Sequence, residues 1–272
     1  GFVALSTENL AEPSISNLAA EKPEDHFNVV TWTGDGSNES VTGVGFQPDL
    51  VWGKSRSNGI GHMIYDSVRG AGKMLASNAT GAEITNSPYG YLSSFDSDGH
   101  TWTVGSSDGS YGTYPSATYV AWCWKAGGTA VSNTDGSITS QVSANTDAGF
   151  SIVSYTGTGG NATVGHGLSQ APEMLIFKNR DATSNWRTYH TSLGATQAVV
   201  LDGTGSTQTF NFWQDTAPTS SVFYLSSHAD ANGNGNDIIG YCFHSVEGYS
   251  KFGSYIGNGS SDGSFVYTGF RP

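Results

Sequence analysis

Apolar and polar positions alternate along this chain in short blocks. "NVVTW" from Asn28, "PDLVWGK" from Pro48, "HMIYDS" from His62, "KMLAS" from Lys73, "YLSSF" from Tyr91, "TWTVG" from Thr101 and "YVAWCWK" from Tyr119 follow one another, with Gly, Asn, Asp and Ser in almost every gap. Runs this short, rich in β-branched and aromatic residues and closed by turn formers, predict strands. No useful length of sequence carries the 3.6-residue apolar period of an amphipathic helix. About seven or eight strands per hundred residues predicts an all-β fold of antiparallel sandwiches, jelly-roll or concanavalin-like. "YVAWCW" has large groups throughout, which predicts a central strand buried on both faces.

The pattern then repeats. An offset of 123 residues carries Trp32 onto Tyr155, and a further 100 carries Tyr155 onto Tyr255. Pro48, Pro172 and Pro272 close the same motif, and Lys54 and Arg56 match Lys178 and Arg180. Internal periodicity of this kind marks tandem units. The expected organisation is an N-terminal arm (1–26), a first sandwich (27–128), a linker (129–147), a second sandwich (148–248) and the opening hairpin of a third unit (249–272). Within the linker, "GSITSQVS" is a possible edge strand. Pro13 and Pro23 argue against a long helix in the arm. The recurrence of Lys54/Arg56 and Lys178/Arg180 suggests a structural duty, such as covering a sandwich edge with charge. Cys123 and Cys242 occupy equivalent places in the two units, so separate buried free thiols are expected rather than a disulfide.

Composition sharpens this picture. Gly makes up 37 of 272 residues and charged residues only 12 %, while aromatics reach 12 %. Turn-dense chains with real cores and little charge are typical of extracellular β proteins. The net charge is −12, and the 11 Lys and Arg form no basic stripe, which speaks against nucleic acid as a partner. No apolar run is long enough for a membrane-inserted helix, and no signal peptide is recognised. The chain starts at Gly1 rather than Met, which reads as processing or as a piece of something longer.

Candidate chemistry is sparse. "DANGNG" places Asp230, Asn232 and Asn234 at alternate positions before Gly235, the opening of a calcium loop. The pattern breaks at the twelfth position, Tyr241, where a bidentate Glu is needed. A plain Asn/Gly-rich loop is the alternative, so no cofactor is expected other than this candidate Ca2+ site. "SFDSDGHTW" offers Asp96 and Asp98 as a glycosidase pair, or simply a hairpin turn. The seven histidines form no metal or triad spacing, and neither G-x-S-x-G nor a phosphate loop is present. Exposed aromatics can stack on sugar rings. The candidates are Trp32, Tyr89, Tyr91, Tyr111, Tyr114, Trp186 and Trp213. Tyr111, Tyr114 and Trp186 are carried forward as ligand-binding residues.

Several longer stretches carry a resemblance: "YDSVRGAGK", "SFDSDG", "YVAWCWKAGGTAVSNTDGSITSQVSANTDAGFSIVSYTGTG" and "FVYTGFRP". From Phe27 to Pro272 the chain resembles a tandem repeat domain of unknown function. That domain occurs in tail-fibre-like and other virion proteins of tailed phages, especially marine and cyanobacterial ones. The opening "GFVALSTENLAEP" resembles the end of a SPRY-type sandwich. The resemblance implies a non-enzymatic virion structural protein: a fibre, decoration or host-attachment component on the virion surface or otherwise extracellular. Its implied partners are further copies, other virion proteins and a host surface glycan. It supplies no catalytic residues. Relatives run on past "GFRP", so either the chain is part of a longer fibre or its last hairpin joins a neighbour's sheet edge. Phe252, Tyr255, Phe265, Tyr267 and Phe270 are the assembly residues on that second reading. A carbohydrate-binding lectin-like module and a sandwich-fold glycoside hydrolase are the alternatives from other classes.

Overall fold

The computed structural model describes residues 22–270; the SPRY-like stretch, most of the expected arm, and Pro272 lie outside them. The described residues hold nineteen strands, one four-residue α-helix and a short 3-10 turn at Pro23–Asp25. The first unit holds β1 (Phe27–Thr33), β2 (Glu39–Thr42), β3 (Leu50–Ser55), β4 (Met63–Asp66), β5 (Lys73–Met74), β6 (Ile84–Thr85), β7 (Tyr91–Asp96), β8 (Gly99–Thr103) and β9 (Thr118–Trp124). The second follows with β10 (Val131–Asn133), β11 (Ser140–Asn145), β12 (Phe150–Thr156), β13 (Ala162–Gly165), β14 (Met174–Asn179), β15 (Arg187–His190), β16 (Gln197–Val200), β17 (Gln208–Thr209), β18 (Val222–Leu225), α1 (Ala229–Asn232) and β19 (Asp237–Phe243).

The units share one topology. In the first, a main sheet runs β1-β9-β3-β4 and a second sheet β2-β8-β7. In the second, the main sheet holds β12-β19-β14-β15 in the same order, and β13 pairs with β18. Named strand pairs are antiparallel throughout. The all-β sandwich reading therefore describes the molecule. The linker does not stay a linker: β10 and β11 add to the β12 edge, and with β16 and β17 at the far edge the second main sheet reaches eight strands.

Strand alternation explains the cores, because successive side chains leave opposite faces. On β4, Met63 and Tyr65 point into the first sandwich, packed with Trp102, Leu92 and Cys123. Ile64 between them points the other way. On β19, Ile238 and Cys242 enter the second sandwich core, and Ile239, Tyr241 and Phe243 face outward. These outward faces meet. Leu50, Ile64 and Leu75 of the first unit pack with Phe150, Ile152, Ile176, Trp186 and Tyr241 of the second. The two main sheets thus lie back to back and form a third apolar layer. Each such side chain removed from water contributes about 1.5–3 kcal/mol.

The expectation for "YVAWCW" holds on one face only: β9 is central, between β1 and β3, but Val120, Trp122 and Trp124 on its back face remain half-exposed, whereas its counterpart β19 is buried on both faces. Cys123 and Cys242 are free, buried and in different cores. Burial pushes both thiols up to about 12.

The third-unit hairpin is the clearest departure. No strand forms after Phe243 among the described residues. The first two units show why: β1 pairs with β9 and β2 with β8, so the two arms of this motif belong to different sheets. The motif is an arch between sheets, not a hairpin, and its arms do not pair with each other.

Candidate functional site

Five sets of residues were singled out by sequence, and the structure separates them. The aromatic set splits. Trp186 is fully buried between the sandwiches, its Nε1 donating to Ala76 O at 2.9 Å. Its place in the inter-sheet layer rules it out as a sugar platform. Trp213 is core, and Trp32 stacks on Tyr119 at 5.2 Å. Tyr89 and Tyr114 are exposed. Tyr111 is half-buried and meets Tyr89 edge to face at 5.9 Å. Their loop is pinned by Gly112, whose φ of +97° and closeness to the Trp102 ring leave no room for a Cβ. Its carbonyl accepts from Trp32 Nε1 at 2.7 Å.

The calcium reading is overturned by hydrogen bonding. Asp230 takes Arg187 Nε at 2.7 Å. Asn232 is fully buried: its amide donates to Ser226 O and Gly160 O, and its Oδ1 accepts from Thr158 N. Asn234 is exposed beyond the turn of α1. The three side chains serve three structural tasks and do not converge. Among the described residues no group of three His, Cys, Asp or Glu could hold a metal.

Asp96 ends β7 and Asp98 lies in the β7–β8 hairpin turn, as one of the two readings has it. Asp98 accepts from the backbone N–H of Gly43 and Gly45, and Asp96 from Ser94 and Thr101 hydroxyls. Both carboxylates fasten loops. The recurring lysines are not edge cover either. Lys54 Nζ donates to Ser55 O and Asn58 O, and Lys178 Nζ to Asn179 O, Ala182 O and Ser184 Oγ. Each lysine closes the loop after its strand. Lys178 is the more buried, and burial lowers its ammonium to about 8.

Sequence reasoning missed a charge cluster across the sandwich junction. Arg69 Nε sits 2.5 Å from Asp66 Oδ2, both side chains fully buried. Arg69 also reaches Glu83 at 3.1 Å, and Arg180 of the second unit grips Glu83 through Nε and Nη2 at 2.9 and 3.0 Å. Tyr241, the residue that breaks the calcium pattern, donates its hydroxyl to Asp66 at 2.7 Å. Burial opposes the charges, but the arginines outweigh it and hold Glu83 below the usual carboxylate range. The signal in the sequence was the Arg180 half of the recurring Lys-x-Arg, whose partner lies 97 residues away.

An apolar cavity of about 180 Å3 remains beside this junction, walled by Trp52, Trp124, Phe150, Ile176 and Phe252. Of the assembly candidates, Phe252 is the one held down, 5.7 Å from Phe243. Tyr255, Phe265 and Tyr267 are 70, 86 and 78 % exposed, with Ile256 at 90 %, while Phe270 is half-buried. Their loop is closed by Asn258 Nδ2 to Asp262 O and Ser264 Oγ to Ile256 O. The counterparts of Tyr255 in the two complete units behave differently. Trp32 packs against the first core, and Tyr155 is buried in the second with its hydroxyl donating to Ala231 O at 2.6 Å.

Residues 22–272 match a family described as a domain of unknown function, DUF7483. The chain belongs to this family. The DUF7483 match runs through both sandwiches and the exposed arch together. No curated protein and no solved structure matches the chain.

Proposed function

We propose that this DUF7483 chain is a non-enzymatic structural protein of a virion-like surface assembly. In this reading it is a fibre, decoration or attachment component that works at the virion surface or otherwise outside cells. Its rigidity comes from sandwiches stacked back to back, and it joins other copies or other virion proteins through the arch at residues 252–270. One observation carries the reading: Tyr255, Ile256, Phe265 and Tyr267 are exposed in a motif whose two earlier copies are built into sandwiches. A row of large apolar side chains in water marks an interaction surface, and unpaired strand-forming segments take partner strands. Sedimentation of the chain over a wide concentration range tests it. Self-association weakened at least tenfold by Tyr255→Ser, Phe265→Ser and Tyr267→Ser together is the expected result. A strict monomer at every concentration counts against it.

Glycan binding is the second reading, favoured by the Tyr89–Tyr111 pair and by exposed Tyr114, three residues on from Tyr111. Aromatic rings on a pinned loop offer a stacking face for a host surface sugar. Glycan-array binding abolished by Tyr114→Ala supports it, and unchanged binding removes this loop from consideration.

A further inference from the structure

The apolar layer between the sandwiches is unevenly filled. Leu50 and Ile64 of the first unit are buried in it, but Trp52 on β3 and Trp124 on β9 are only half-buried. The space they leave against Phe150, Ile176 and Phe243 of the second main sheet is the cavity of about 180 Å3. A further wall comes from the segment after β19. Val246 N donates to Ser250 O at 3.1 Å, Tyr249 N to Val246 O at 3.0 Å and Phe252 N to Ser245 Oγ at 3.0 Å, which folds Tyr249 and Phe252 onto the cavity. Gly149 also lines it, at φ +65°, and a Cβ there would meet His244 O at 2.7 Å. That position cannot carry a side chain to fill the space without strain. Leu201, on the same wall, is exposed, which gives the cavity a way in from solvent.

We propose that this cavity is a binding site for a small uncharged molecule with one aromatic ring and a hydrogen-bonding substituent, of the phenol type. Size sets the first limit. An apolar cavity of about 150 Å3 stays dry and takes up benzene, so this one has room for one substituted ring and none for a long chain or a sugar. The walls set the second. No charged side chain lines the cavity, so an ion would lose its hydration without a partner. Trp52, Trp124, Phe150 and Phe252 instead offer ring edges and faces, which suit another ring. The substituent is set by Tyr249. Its hydroxyl has no hydrogen-bond partner among the described residues, and burial raises its pKa. Three other polar tips on the wall are already engaged: the Tyr241 hydroxyl donates to Asp66, Trp52 Nε1 to His62 Nδ1 and Trp186 Nε1 to Ala76 O. A ligand hydroxyl gives the Tyr249 phenol the partner it lacks. The bound ring touches both units, so it holds the two sandwiches together and favours the folded chain by mass action.

Titration of the full chain with p-cresol, followed through the tryptophan indole N–H resonances, tests this. The expected result is saturable shifts at Trp52 and Trp124 with one molecule bound per chain, and none at Trp102 and Trp213 in the sandwich cores. Toluene, which lacks the hydroxyl, is expected to bind about 2–10-fold more weakly than p-cresol, and Tyr249→Phe to erase that difference. Ala148→Leu, on the cavity wall, is expected to abolish binding of both. If Ala148→Leu fails to fold, the titration of the unaltered chain still decides. Absence of a saturable shift at Trp52 and Trp124 up to the solubility limit of p-cresol overturns the proposal. Toluene binding as tightly as p-cresol overturns the phenol class. Binding that survives in a folded Ala148→Leu chain overturns the site. Shifts at Trp52 and Trp124 that appear without ligand as the chain self-associates also overturn it, and assign the cavity to an aromatic side chain of a second copy.

Discussion

The two sandwiches are built on one strand order, yet they handle polar groups differently. The first completes its second sheet with the β7–β8 hairpin, turned by Ser97–Asp98 and dependent on Gly99, where a Cβ would collide with Val41 O. The second has no counterpart of β7. There Gln214 inserts its amide instead, donating to Ala162 O on β13 and Leu225 O on β18. The same sequence slot therefore closes a sandwich by backbone ladder in one unit and by a side chain in the other. The lysines diverge in parallel: Lys54 is half-exposed, and Lys178 is sealed in. A repeated motif fixes the frame, and the loops between its strands decide how deeply charge is buried.

The largest expected effect comes from the junction that both units share. Arg69→Met leaves Asp66 charged and buried without its partner, at a cost of about 3–5 kcal/mol. Urea unfolding measures it, and adding Asp66→Asn is expected to recover part of the loss because the two sites are coupled. A variant that unfolds like the unaltered protein would show that the sandwiches are held together by apolar contact alone.

Acid acts on the first sandwich through a buried histidine. His100 is buried beneath Trp102, whose Nε1 donates to His100 Nδ1, and burial lowers the imidazole to about 4. The unfolded chain takes up a proton near pH 6.5, the folded chain only near 4. Stability is therefore full above 6.5 and lost as pH falls toward 4, by about 3 kcal/mol from this group. Unfolding curves of His100→Asn between pH 7 and 4 should be flatter than those of the unaltered chain by about that amount. Equal slopes would mean that water reaches the ring.

The lysine pair sharpens the contrast at smaller scale. Lys178→Met orphans three acceptors, two of them buried, and costs about 1–3 kcal/mol, whereas Lys54→Met costs less than about 1 kcal/mol. Because Lys178 titrates near 8 when folded and near 10.5 when unfolded, stability should rise with pH across that window. The rise should vanish in Lys178→Met. Equal costs for the two substitutions would erase the difference in burial on which this comparison rests.

Much of the frame was legible in the residues. Alternating apolar runs marked the strands, and the 123-residue offset marked the units, because side-chain period and turn residues act locally. "SDG" was readable as a turn for the same reason. The calcium pattern misled because Asp-x-Asn-x-Asn-Gly describes spacing, not direction, and here Arg187 and the carbonyls of Gly160 and Ser226 capture the side chains. Trp186 misled because a tryptophan in a polar loop reads as exposed until a second sheet covers it.

The sequence by itself determined the strand content, the repetition, the turn positions and the placing of the two thiols in separate cores. Each follows from short-range periodicity. Only the tertiary structure decided that the main sheets lie back to back, that Glu83 bridges Arg69 and Arg180, and that the opening motif of each complete unit splits between two sheets. Those outcomes depend on faces and partners about a hundred residues apart, where hydrophobic burial and charge pairing act through space and no local pattern records them.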